Sequence, residues 1–336
     1  MPLVDWDLAT STAGRLGPTG PVVSLDEATS VVAQLRQLAH EARDHVAAFT
    51  ELTPVLHDAD VAVVDRHGWA AENVSGLRIV VGPMTDKFAR QIGPVASAVG
   101  AKVAGVQAGM LLAYLSGKVL GQYEVFGNDP GRLLLVAPNI VAAERKLGAT
   151  PRDFRLWVCL HEVTHRMQFT AVPWLREHFL GELRMFVDAA EPASKVWKNA
   201  SKIFDAARGD GSLLDVVQSP EQRAILDRLT ALLTLLEGHA EVVMDGVGPA
   251  VIPTVGSIRA AFDRRRHEAA PLEAYLRRLF GMDVKLKQYT QGRAFVSAVI
   301  AAVGMAGFNR VFTSPATLPT FAEIDAPSTW VERVAA

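Results

Sequence analysis

One stretch of the sequence is the most informative about the fold and the chemistry of this chain, namely Trp157-Val158-Cys159-Leu160-His161-Glu162-Val163-Thr164-His165-Arg166-Met167-Gln168-Phe169. It contains two histidines four positions apart, with a glutamate directly after the first. On a helix, residues four apart lie on one face, so both imidazoles can reach one metal ion while Glu162 addresses a water molecule beside it. Zinc suits this set, because it accepts imidazole and carboxylate ligands and three protein ligands leave a position for water.

The residues before this stretch predict that it lies inside a helix. Thr150 can cap the helix, Pro151 suits its first position, and Asp153 places an acid in its first turn. A second strong helix start is Ser219-Pro220-Glu221, which opens a leucine-rich pattern that runs toward Met244.

A third metal ligand must come from elsewhere in the chain. The metzincin pattern fails, because it needs a glycine and a histidine where this chain has Gln168 and Ala171. Glu237 is the leading candidate, because a carboxylate is unusual within a leucine-rich helical pattern. His239 and Glu177 remain alternatives.

The remaining patterns indicate one mostly α domain with a small sheet. Ser24 is a predicted helix start, and Gly148 a predicted helix end. Two β-prone runs, at 123–126 and 133–136, flank a turn sequence and predict a hairpin. Further helices are predicted over residues 25–52, 140–147, 174–190, 193–207, 257–268, 272–280 and 291–303. We expect a single domain over residues 1–336, with a helical part at 1–121, the hairpin and metal-site core at 122–250 and a second helical part at 251–336.

Composition excludes several classes of protein. The 336 residues are 49% hydrophobic, and 34 Lys and Arg nearly balance 36 Asp and Glu. The composition therefore argues against disorder, and the near-neutral charge gives no general attraction to nucleic acid. The single cysteine, Cys159, cannot form an internal disulfide, and we interpret it as a small buried residue.

The sequence also predicts a cytoplasmic protein without a membrane span. The first residues lack the basic start and apolar run of a signal peptide. Two apolar stretches, Val103 to Gly117 and Ala294 to Asn309, are shorter than the roughly 18 to 20 residues that a span requires. We therefore predict that both are buried core helices, and that Gly105 and Gly109 allow another backbone to approach closely.

The metal motif with a distant Glu237-Gly238 resembles the gluzincin group of zinc metallopeptidases, in which a glutamate on a later helix is the third ligand. More closely, Trp157 to Phe169, Val172-Pro173-Trp174-Leu175 and Glu237-Gly238-His239-Ala240-Glu241 resemble an actinobacterial zincin-like family of zinc hydrolases named for an association with deazaflavin coenzyme biosynthesis. The likeness spans nearly the whole chain and implies a mostly helical zincin-like fold, but it supplies no substrate.

With His161, His165 and Glu237 as ligands of one zinc ion, Glu162 is the expected general base. His239, Tyr289 and Arg293 are candidates to stabilise the negatively charged oxygen that forms during hydrolysis. Two further acids, Glu241 and Asp245, are candidates to orient the ligating histidines. Because zincins commonly present an edge strand before the motif helix, residues 133–136 are a candidate strand for binding an extended peptide. The alternative is a strand that the long helices bury.

These inferences predict a zinc-dependent metallopeptidase that acts on a peptide or peptide-like substrate. One alternative is hydrolysis of a small amide linked to deazaflavin coenzyme metabolism. The other is an inactive zincin-fold protein that binds or regulates a partner.

Overall fold

The computed structural model describes residues 3–55, 60–89, 94–127, 131–189, 219–267 and 282–335. Within them the chain is mostly helical with one three-stranded sheet, which confirms the predicted fold class. The helices and strands are α1 Trp6–Leu16, α2 Leu25–Thr50, β1 Asp60–Val64, α3 Arg66–Ala89, α4 Pro94–Ser116, β2 Gly121–Glu124, β3 Arg132–Val136, α5 Ala137–Leu147, α6 Pro151–Ala171, α7 Leu175–Asp188, α8 Pro220–Gly246, α9 Val255–His267, α10 Met282–Phe308, α11 Phe321–Asp325 and α12 Pro327–Trp330. The predicted helices at 193–207 and 272–280 lie outside the described residues.

The chain forms two compact units. The first comprises Met1–Arg176 and Val243–Phe262, and the second comprises Glu177–Val242 and Asp263–Ala336. The first unit contains the sheet and helices α1 to α6. The second contains most of α7, most of α8 and the elements from α10 onward. The predicted division of a single domain into three parts stays a prediction.

Local signals set several helix ends as predicted. Ser24 and Ser219 each accept a hydrogen bond of 3.1 Å from the backbone N–H three residues further on, which caps α2 and α8. Gly148 ends α5 with φ 62°, a left-handed conformation that glycine adopts without steric cost. Pro151 is the first residue of α6, but the side chain of Thr150 makes no capping hydrogen bond.

The sheet has the order β1-β3-β2, with β3 parallel to β1 and antiparallel to β2. The β2–β3 pairing confirms the predicted hairpin, although its first strand covers 121–124 and not 123–126. Residues 128–130 of its turn lie outside the described part. Leu134 and Val136 of β3 pack into a core with Trp6 of α1 and Trp69 of α3. The alternation of side chains along a strand puts Leu133 and Leu135 on the opposite face, and α6 contacts both β2 and β3.

Of the two expectations for residues 133–136, the edge strand is wrong and the buried strand is correct. Strand β3 is central, and its residues from Leu133 to Val136 are completely buried. Its unbroken apolar run is the pattern of a strand covered on both faces. Among the strands of the described sheet, β2 lies at the edge and contacts α6.

Glycines allow α4 to pack closely on α1, as predicted. A Cβ atom at Gly105 would lie 2.5 Å from the carbonyl oxygen of Asp5, and one at Gly109 would lie 2.6 Å from that of Ala9. These distances are too short for any side chain. The backbones of the two helices therefore meet directly along this face of α4.

The expectation that the two long apolar helices are buried is not met. By length and composition alone, the segments 98–116 and 291–312 are apolar enough to cross a membrane, yet only 28% and 33% of each is buried. On α4, large apolar side chains at four- and three-residue spacing are 37 to 62% exposed, namely Val99, Val103, Val106 and Met110. The predicted absence of a membrane span stays a prediction.

Candidate metal centre

The two histidines of the motif converge within α6. The Nε2 atoms of His161 and His165 lie 3.2 Å apart, with the two rings at nearly a right angle. Zinc–nitrogen bonds of about 2.0 to 2.1 Å at a tetrahedral angle separate two ligand nitrogens by roughly 3.3 Å. The pair is therefore spaced as two ligands of one zinc ion would be.

The other ring nitrogen of His165 is held by a side chain of the same helix. Nδ1 of His165 lies 3.0 Å from Oε1 of Gln168, and Gln168 is completely buried. An amide oxygen only accepts hydrogen bonds, so it can pair with this nitrogen only when the ring proton is on Nδ1. Nε2 is then left with its lone pair directed toward His161.

Glu237 completes a group that can hold a metal ion. Among the described residues, the potential ligand atoms of His161, His165 and Glu237 lie within 4.8 Å of one another, and all three side chains are half-buried. Two imidazoles and one carboxylate form a donor set typical of catalytic zinc, with one position left for water. The residues present therefore fit the ion that the sequence motif implies.

Glu162 is buried against the edge strand β2. A Cβ atom at Gly121 would lie 2.6 Å from Cγ and 2.7 Å from Cδ of Glu162. Real Cβ atoms do not approach other atoms so closely, so any side chain at position 121 would push the Glu162 carboxylate aside. Tyr123 lies two residues after Gly121 on β2, and its ring stacks on that of Phe169 of α6 with centroids 5.5 Å apart. The strand therefore contacts the motif helix at both positions.

The hydrogen-bonding pattern of β2 shows which backbone groups point out of the sheet. The N–H of Val136 donates to the carbonyl of Leu120, which marks these two residues as a hydrogen-bonded pair. Such pairs alternate along an antiparallel ladder. The N–H and C=O groups of Gly121 and Tyr123 therefore point away from β3, toward the edge of the described sheet and beside Glu162.

The predicted oxyanion-stabilising residues are placed differently from one another. His239 is completely buried, with its ring 5.1 Å from that of Phe308 and 5.8 Å from that of Phe312. The side chains of His239 and Glu237 point in directions about 200° apart around the axis of α8, so they lie on nearly opposite sides of this helix. Tyr289 belongs to α10, but its side chain lies outside the described part of the structure, and Arg293 is half-buried. Their catalytic roles stay predictions.

The acids proposed to orient the histidines lie on α8. Asp245 accepts a hydrogen bond from Trp157 Nε1 at 3.4 Å and pairs with Arg259 at 3.0 Å. Trp157 is one helical turn before His161, so Asp245 contacts the motif helix below the ligands. Glu241 is buried, whereas Glu177, the alternative ligand, is exposed at the start of α7.

Cys159 is a buried structural residue, as predicted. Its Sγ lies 3.9 Å from the carbonyl oxygen of Leu35 on α2, and none of its surface is exposed. Burial, reinforced by the nearby charge of Glu162, raises the pKa of the thiol far above its ordinary value. It therefore remains a neutral packing group.

Two residues of the site have no recognisable sequence signal. Gln168 stands three positions after His165, a spacing at which helical side chains can meet. That spacing does not reveal which of the two histidines, if either, receives the amide. Gly121 begins a β-prone run, but the neighbour that requires a glycine there is distant in sequence.

The chain belongs to the zincin-like metallopeptidase family, whose model matches residues 4–331. This membership agrees with the mostly helical fold and with the paired histidines on α6, and it identifies the class as metal-dependent hydrolases.

A crystal structure from Chloroflexus aurantiacus, described as "a putative hydrolase with a novel fold", is similar to this chain at 31% sequence identity and a TM-score of 0.70. The similarity covers 98% of both chains. A search of curated proteins finds no match.

Proposed function

We propose that the protein is a zinc-dependent peptidase in which His161, His165 and Glu237 hold one zinc ion and Glu162 is the general base. The observation that carries this proposal is the 3.2 Å separation of the two Nε2 atoms, because two imidazoles that converge at this distance are arranged as ligands. Membership of the zincin-like metallopeptidase family supports the same ion and reaction class.

Bound zinc would supply a Lewis acid that polarises a carbonyl group and lowers the pKa of a coordinated water toward about 7. The carboxylate of Glu162 would accept the proton of the attacking water and deliver it to the leaving amine. Its burial beside Gly121 fixes the carboxylate, so that little motion is needed for proton transfer.

The edge of β2 supports a peptide as the substrate. The backbone N–H and C=O groups of Gly121 and Tyr123 point toward the edge of the described sheet. An extended peptide can add to such an edge as a further strand. The scissile bond would then lie next to Glu162, since Gly121 is in contact with that residue.

The ligand set is tested by metal analysis of untagged wild-type protein, Glu237→Ala and the control Asp227→Ala. Asp227 is an exposed acid on the same helix. We expect about one zinc per chain in the wild type and in the control, and loss of zinc in Glu237→Ala. Absence of zinc from the wild type, even after zinc is offered, would refute the proposal.

Catalysis is tested with a peptide library and with small amides that include polyglutamyl conjugates. We expect cleavage of extended peptides by the wild type, and loss of cleavage with retained zinc in Glu162→Gln. Hydrolysis of small amides alone would replace the peptidase by the metabolite hydrolase. A zinc-loaded wild type that cleaves neither class would instead favour a binding or regulatory protein.

A further inference from the structure

We propose that Gln168 is a positioning residue that fixes the tautomer of His165 and so presents its Nε2 atom to the metal. This inference rests on the proposed zinc site, but its structural part can be measured without zinc. It assigns to a buried amide a role for which the sequence suggested the carboxylates of Glu241 or Asp245.

The position of the ring proton of His165 decides which of its two nitrogens can bind the metal. A neutral imidazole carries its proton on either nitrogen, and only the nitrogen without the proton can bind zinc. In α6 the Nε2 atom of His165 is directed toward His161, so productive binding requires the proton on Nδ1. The Oε1 atom of Gln168, 3.0 Å from Nδ1, stabilises this form because it can only accept a hydrogen bond.

Burial of Gln168 protects its hydrogen bond to His165 from water. Gln168 has no exposed surface, so bulk water does not readily compete for the hydrogen bond. Both side chains belong to α6, and Gln168 follows His165 by three positions, on the same side of the helix. The acceptor therefore moves with the ligand, and the ring orientation depends on the motif helix itself.

Gln168 can be compared with Asp245, one of the two carboxylates that the sequence suggested for this role. The carboxylate of Asp245 pairs with Arg259 and accepts a hydrogen bond from Trp157, one turn before His161. These two contacts lie toward the other end of the motif from His165, whereas Gln168 contacts His165 itself. A neutral amide at His165 also adds no negative charge, which leaves Glu237 as the anionic member of the proposed ligand set.

The structural part is tested by nitrogen-15 NMR of the zinc-free protein, with labelled histidine, at a pH where the imidazoles are neutral. We expect the proton of His165 on Nδ1 in the wild type, and a mixture of tautomers in Gln168→Leu. A wild-type proton on Nε2 would overturn the inference whatever the protein binds.

The functional part is tested by zinc affinity, measured by competition with a chromophoric chelator. Loss of an outer hydrogen-bond partner typically weakens metal binding about 10- to 100-fold, and we expect this weakening in Gln168→Leu. We expect Gln168→Glu, which retains an acceptor, to bind zinc clearly more tightly than Gln168→Leu does. Gln168→Met replaces the leucine variant if that variant does not fold.

The outcomes separate the two proposals. Wild-type protein that binds no zinc refutes the proposed function, while the NMR result still decides the tautomer. Tight zinc binding by the wild type and equally tight binding by Gln168→Leu refute the positioning role and leave the zinc site intact. Weak binding by both Gln168→Leu and Gln168→Glu also refutes it, because a retained acceptor should rescue the site.

Discussion

At the scale of single residues, the absence of a side chain at Gly121 determines where the proposed general base lies. Glu162 occupies the space that a methyl group at position 121 would fill. Catalytic carboxylates act over hydrogen-bond distances, so a shift of about 1 Å is enough to impair proton transfer. The packing of β2 against α6 therefore depends on the missing Cβ atom of Gly121.

We predict that Gly121→Ala will lower peptidase turnover by about 100-fold, because the new methyl group displaces the carboxylate of Glu162. Zinc content should not change, since Glu162 is not one of the proposed ligands. Gly256→Ala is the matched control, because no atom lies within 4 Å of its added Cβ. Steady-state kinetics and metal analysis of the three proteins make the comparison; full activity in Gly121→Ala would count against Glu162 as the base.

At the scale of elements, a buried ion pair ties the motif helix to its neighbours. The guanidinium of Arg155, on α6, donates to both carboxylate oxygens of Glu144 on α5 at 2.8 and 2.6 Å. It also donates to Gln34 of α2 at 2.6 Å. A bidentate pair of this kind fixes orientation as well as distance. The contacts of Arg155 therefore hold α6 in place against α5 and α2.

We predict that Arg155→Met will lower the free energy of unfolding by about 3 to 5 kcal/mol, because it leaves the carboxylate of Glu144 buried without its cation. The double variant Arg155→Met with Glu144→Leu should recover most of that loss, since it removes the stranded charge. Urea unfolding followed by circular dichroism measures both changes. Equal destabilisation of the single and double variants would contradict this explanation.

Some features of the helices and strands could be predicted from the sequence, and others could not. The ends of α2, α5 and α8 were predictable, because caps and helix-ending glycines act within a few residues. The place of β3 in the sheet was not, because its parallel partner Asp60–Val64 is distant in sequence and short. At the site, the histidine spacing was visible, whereas the roles of Gln168 and Gly121 depend on neighbours that only the folded chain brings together.

At the scale of the whole molecule, metal binding and folding are expected to be linked. The proposed ligands come from α6 and α8, which are far apart in sequence, so the unfolded chain does not hold them together. A ligand that binds only the folded state stabilises it by mass action. Zinc should therefore act on the stability of the protein as well as on its chemistry.

We predict that free zinc at 100 times its dissociation constant will stabilise the folded protein by about 2.7 kcal/mol. Thermal unfolding with zinc and with excess chelator should show the shift in the wild type and in Glu162→Gln. The shift should vanish in Glu237→Ala. A melting temperature that does not respond to zinc in any of these proteins would argue against a ligand set of His161, His165 and Glu237.

The burial of Cys159 gives the protein a surface without native thiols, since this is the single cysteine of the chain. A cysteine introduced at the exposed Val103 of α4 is then a unique attachment point for a spin label or fluorophore. Such a probe would report what approaches the apolar side of that helix in solution. The native thiol of Cys159 reports a different event, because its alkylation requires α6 to separate from Leu35. The alkylation rate therefore measures how often the motif helix opens.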